Sequence, residues 1–122
     1  MTLSLATVLI AIVAFLQTLI SLVEIFLWNV PRVHGRLHFT AAEARKVAPI
    51  VANAGLYNGF LAAGLVWALL SGSSRPGIGV FFLTCVVVAG VFGSITLKPT
   101  TLLVQTLPGA LALGAVWMAP LA

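Results

Sequence analysis

The stretch Ser21–Arg32, SLVEIFLWNVPR, decides how the chain is read. It ends an apolar run that begins at Leu3, and Pro31-Arg32 stops it. From residue 3 to residue 30 the run is about 42 Å of helix, enough to cross roughly 30 Å of hydrocarbon with tilt. One carboxylate, Glu24, sits near its end among Leu22, Val23, Ile25, Phe26 and Leu27.

Composition extends that reading to the whole chain. Of 122 residues, 61% are hydrophobic and 7% charged. Soluble domains carry about 25% charged residues, so lipid must replace water around most of this surface. The remaining apolar runs give spans at about 48–70, 78–97 and 101–120, and the first loop covers 31–47. The expected fold class is all-α: an integral membrane four-helix bundle forming one domain over residues 1–122.

Punctuation agrees with the spans. Thr40-Ala-Ala-Glu43 matches a capping box, so a helix should start at Ala41. Pro49 falls near the start of the second span and should bend the chain. Ser71–Gly77 (SGSSRPG) and Lys98-Pro99-Thr100 read as turns.

The six Lys/Arg residues set the orientation. Arg32, Arg36, Arg45, Lys46 and Lys98 fall in the first and third loops, and only Arg75 in the second. The positive-inside rule puts the first and third loops in the cytoplasm and both termini outside. Trp28 is expected at the inner interface and Trp67 and Trp117 at the outer one. The net charge of +4 is concentrated in the first loop, without interleaved aromatics. That pattern suits anionic membrane lipids and gives no nucleic-acid site.

Counting 1.5 Å per residue from the cytoplasmic basic residues puts Glu24 at about 12 Å, and Asn53 and Gln105 at about 10 Å. Tyr57 and Asn58 follow at about 16–18 Å and Gln17 at about 22 Å. Gln17, Ser21 and Glu24 share one helix face at i, i+4 and i+7. A carboxylate facing lipid tails costs roughly 2.5–3.5 kcal/mol even on the lenient scale. The expected arrangement gathers Glu24, Asn53, Tyr57, Asn58, Gln105 and Gln17 in one pocket open to the cytoplasm. The bland alternative is interhelical hydrogen-bond glue.

Gly55-x-x-x-Gly59, Gly90 and Gly93 lie on small-residue ridges that let helices approach closely. Their plain use is packing within the bundle; a homo-oligomer seam is the sharper one. His34 and His38 are expected in a solvated loop, since two histidines alone make a weak metal signal. No metal site or cofactor is expected, Cys85 has no disulfide partner, and no residue is assigned a catalytic role. No phosphate loop, dinucleotide fingerprint, HExxH or GxSxG motif is present.

EIFLW (Glu24–Trp28), NAGLYNGFLAAGL (Asn53–Leu65), FFLTCVVVAGVFG (Phe81–Gly93) and LLVQTLPGALAL (Leu102–Leu113) resemble one family over nearly the whole chain. It is the small bacterial four-span proteins catalogued as domain of unknown function thirteen-zero-four. The resemblance implies a multi-pass protein of the bacterial inner membrane and no particular activity. Small multidrug exporters are similar in length, span number and a glutamate in the first span. Three roles are carried forward: binding or transport of a small solute or proton at Glu24, a small membrane enzyme acting on a lipid-soluble substrate, and a structural subunit.

Overall fold

A computed structural model describes residues 4–118 of the chain. Ser4 opens α1 (Leu5–Leu22) by accepting from the Thr7 amide at 3.1 Å. The helix continues through a wider π-turn, Val23–Leu27, before the chain bends at Trp28–Val30. A single turn, α2 (Pro31–His34), leads through Gly35–Leu37 to α3 (Ala41–Ser71). The turn at Gly72–Ser74 joins it to α4 (Pro76–Thr96). A second π-turn, Leu102–Thr106, runs into α5 (Leu107–Met118). No strand occurs among the described residues, and the all-α bundle is the observed fold.

The capping box forms as its spacing requires. The Glu43 amide donates to Thr40 Oγ1 at 3.2 Å, and the Thr40 amide donates to Glu43 Oε1 at 3.3 Å. From that start α3 runs 31 residues, about 46 Å, so it overshoots the expected 48–70 span at its N-terminal end. Pro49 lies inside it near the charged end, where a lost backbone donor can be replaced by water.

Among the described residues three helices are long and apolar enough to cross a membrane: Leu5–Leu27, Ala41–Ser74 and Pro76–Thr96. The fourth apolar helix covers Leu102–Met118, and the expected outer limits at residues 3 and 120 lie outside the described residues. Exposure follows a lipid solvent: Phe15, Phe26, Ile50, Phe60, Phe81, Phe92 and Ile95 all face outward. Trp67 and Trp117 are exposed near the end expected to be outer.

The core is apolar in one half only. Ala6, Ile10, Val13, Leu65, Leu83, Val86, Ala112, Ala115 and Val116 are buried together near the bundle end that holds the 72–75 turn. Small residues set the helix spacing. A Cβ on Gly64 would overlap the Phe82 ring, and one on Gly79 would sit 3.7 Å from Ile10 Cδ1.

At the other end the loops differ from expectation. Trp28, expected at the inner interface, does not face lipid: it is 5% exposed, and its Nε1 donates to the Ala44 carbonyl at 2.9 Å. His34 is likewise buried, at 4% exposure, with its Nδ1 3.1 Å from the Phe39 carbonyl oxygen. Both corrections have one cause. The α2 turn folds the loop back over the end of α1, so Trp28 meets the rings of His34 (6.2 Å) and Phe39 (5.5 Å) edge-on. His38, exposed and in the left-handed region at φ 64°, lets the chain reverse toward Thr40. Lys98 Nζ donates to the Arg36 carbonyl at 3.1 Å, which ties the first and third loops together at one end of the bundle.

Candidate functional site

Glu24 lies on the π-turn of the first span. Such one-residue widenings of a helix recur at functional sites. Its Oε1 accepts a hydrogen bond from Asn58 Nδ2 of α3 at 2.5 Å. The two side chains meet because α3 presents Gly55 and Gly59 to α1. A Cβ on Gly55 would come within 2.9 Å of Ile25 Cγ1 and 3.0 Å of both Glu24 Cβ and the Ser21 carbonyl oxygen. One on Gly59 would come within 3.1 Å of Ser21 Oγ. The small-residue ridge on α3 therefore packs inside the bundle, against the helix that carries the carboxylate.

Gln105 lies on the other π-turn. That turn packs on α4 at Gly90, whose Cβ would sit 3.0 Å from Gln105 Cβ and would overlap Thr106 Oγ1. Two hydroxyls sew the seam. Thr101 Oγ1 donates to the Gly90 carbonyl at 3.0 Å, and Thr106 Oγ1 to the Val87 carbonyl at 3.3 Å. Gly93 faces Thr101 in the same seam.

Helix register relates the layers. α1 and α4 run in the same direction, with Ile10 beside Gly79. Eleven residues further along each helix, Ser21 and Gly90 share a level, and Gly90 brings Gln105 to it. Gln17 is one helical turn deeper on the same face as Ser21.

Along one face of α1 the polar side chains form a stepped column: Glu24 with Asn58 first, Ser21 next and Gln17 last, against the apolar half, while Gln105 lies at the level of Ser21 in the seam on α4. Gln17 is 1% exposed, and neither its Oε1 nor its Nε2 hydrogen-bonds to another protein group; Gln105 Oε1 is also buried without a protein partner. A buried amide group left unpaired costs about 1–3 kcal/mol.

Asn53 and Tyr57 do not join this column. Both are exposed on the opposite side of α3, and the Tyr57 ring packs edge-on against Phe60 at 5.8 Å. Ser21, not singled out as a site residue from sequence, is buried at the contact between the helices. Its place on the Gln17–Glu24 face was the signal for it. Among the described residues no cluster of three or more His, Cys, Asp or Glu side chains could hold a metal.

Helices this long and apolar define a class: an all-α protein fitted by length and composition to cross a membrane. The family described as "Protein of unknown function (DUF1304)" matches residues 11–117, and the chain belongs to that family. No curated protein and no solved structure matches it.

Proposed function

We propose that this is a multi-pass protein of the bacterial inner membrane, whose Glu24 column binds a small cationic or polar solute, or a proton, from the cytoplasmic side. Orientation rests on the five-to-one bias of Lys/Arg between the two ends. The Lys98–Arg36 contact supports counting the first and third loops together.

The observation that carries the reading is the stepped column, a carboxylate backed by buried unpaired amides. Its unfilled groups are mostly acceptors: Gln17 Oε1, Gln105 Oε1 and the second oxygen of Glu24. A donor-rich guest, such as a primary ammonium group or protonated water, complements them. The apolar outer half gives such a guest no continuation, so the column suits a binding recess better than an open pore.

Glu24→Gln keeps the shape and removes the acceptor charge. Purified protein should melt higher with increasing methylammonium chloride than with choline chloride at equal ionic strength. The Glu24→Gln variant should lose that difference while staying folded. Equal responses of the two proteins would end the proposal.

The Asn58 bond itself favours a second reading, in which Glu24 serves as glue between α1 and α3. On that reading Glu24→Gln and Asn58→Leu lower the melting temperature, and methylammonium has no effect on any form.

A further inference from the structure

The membrane-facing surface treats its polar groups in two ways. Exposed hydroxyls fold back onto their own helices: Thr18 Oγ1 donates to the Ala14 carbonyl at 2.8 Å, Thr84 to Val80 at 2.7 Å, and Thr96 to Phe92 at 2.9 Å. Each is satisfied within its helix and can face hydrocarbon at little cost. Asn53 and Tyr57 are the contrast. Both are exposed, and among the described residues neither side chain makes a hydrogen bond. They bracket Gly55, which packs at the level of Glu24, so they lie within the span rather than in the loops.

We infer that this face of α3 is the seam between two copies of the chain, with Asn53 at its centre. Asn53, Leu56, Tyr57 and Phe60 fall at i, i+3, i+4 and i+7, one continuous outward stripe. A carboxamide offers both donor and acceptor. Two Asn53 side chains related by a two-fold axis along the membrane normal can therefore satisfy each other reciprocally, as a self-complementary interface requires. No other single group is needed to complete the pair. Interhelical amide contacts of this kind hold membrane helices together. The Tyr57 ring, braced edge-on by Phe60, supplies a fixed wall beside the amide pair.

Two other surfaces offer no such seam. The Gly55/Gly59 ridge is occupied by α1, so it is not free to receive a second chain. The outer groove of α4, about 710 Å³ along Phe81, Thr84, Val88 and Phe92, has its one hydroxyl satisfied and accepts lipid tails without penalty.

The test uses the full chain in lipid bilayers, with subunits counted by single-molecule photobleaching as the protein is diluted in lipid. Wild type should be dimeric. Asn53→Leu should weaken the dimer about tenfold, the scale of one interhelical hydrogen bond. Asn53→Gln should retain much of the affinity, and Phe92→Leu on α4 should change nothing. A melting curve for each variant shows that it is folded, and the exposed position of Asn53 makes that the expected result. Oxidation of Asn53→Cys in a Cys85→Ser background should trap the dimer as a disulfide, while Phe92→Cys in that background should not. A monomeric wild type overturns the proposal and leaves Asn53 reaching toward headgroups. A dimer unmoved by Asn53→Leu overturns it equally, and assigns the seam to another face.

Discussion

Replacing Gly90 by valine should destabilise the protein by about 2–4 kcal/mol, the largest stability loss expected from a single substitution here. A Cβ at residue 90 would overlap Thr106 Oγ1 and lie 2.7 Å from the Thr106 backbone nitrogen. A rotamer change can move the hydroxyl, but only a shift of the whole π-turn can move the nitrogen. Overpacking of that kind costs about 1–3 kcal/mol. The shift would also lengthen the Thr101–Gly90 and Thr106–Val87 hydrogen bonds, each worth somewhat under 1 kcal/mol between membrane helices. Gly114→Ala is the control. Nothing lies within 4 Å of a Cβ there, and alanine favours the helix by about 0.5–1 kcal/mol. Thermal unfolding in one detergent should therefore rank Gly114→Ala at or above wild type and Gly90→Val far below both. Similar melting temperatures for the two variants would mean that the α4–π-turn seam is looser than described.

The second large effect has the opposite sign. Gln17→Leu should raise stability by about 1–3 kcal/mol. The amide is fully buried with both ends unpaired, and leucine fills nearly the same volume without that penalty. The same substitution should abolish the methylammonium response proposed for the column, because it removes the donor and acceptor at the deep end. Stabilisation together with lost binding is the mark of a residue kept for function at a cost to the fold. A fall in melting temperature would instead show Gln17 to be a structural hydrogen-bonding group, and the column would lose its deepest member.

How much of this could be read from the sequence varies by residue. Gln17, Ser21 and Glu24 share the face of α1 that arithmetic along a straight helix gives them. Asn53 and Tyr57, expected in the pocket, are on the outward side of α3 instead. Depth needs only the rise per residue, whereas the facing side depends on which neighbour packs where. The signal was nonetheless present. Gly55 and Gly59 mark the side of α3 that approaches another helix, and Asn53 is about 200° around the helix from Gly55. Asn58, between the two glycines, turns toward Glu24 instead.

The Thr40–Glu43 cap was legible because it depends on four consecutive residues alone. The burial of Trp28 and His34 was not legible because it depends on a tertiary event, the α2 turn folding over the end of α1. The two π-turns have no local signature in this sequence, yet they carry Glu24 and Gln105.

The direct measurement is accessibility at Ser21, halfway along the column. With Cys85→Ser as background, Ser21→Cys would be exposed to a small membrane-impermeant, positively charged thiosulfonate in oriented membranes. Reaction from the side of the Arg36–Lys98 loops, slowed by methylammonium and absent from the opposite side, is the predicted result. A thiol that stays unreactive from both sides, in protein still folded by its melting curve, would contradict a recess open to the cytoplasm.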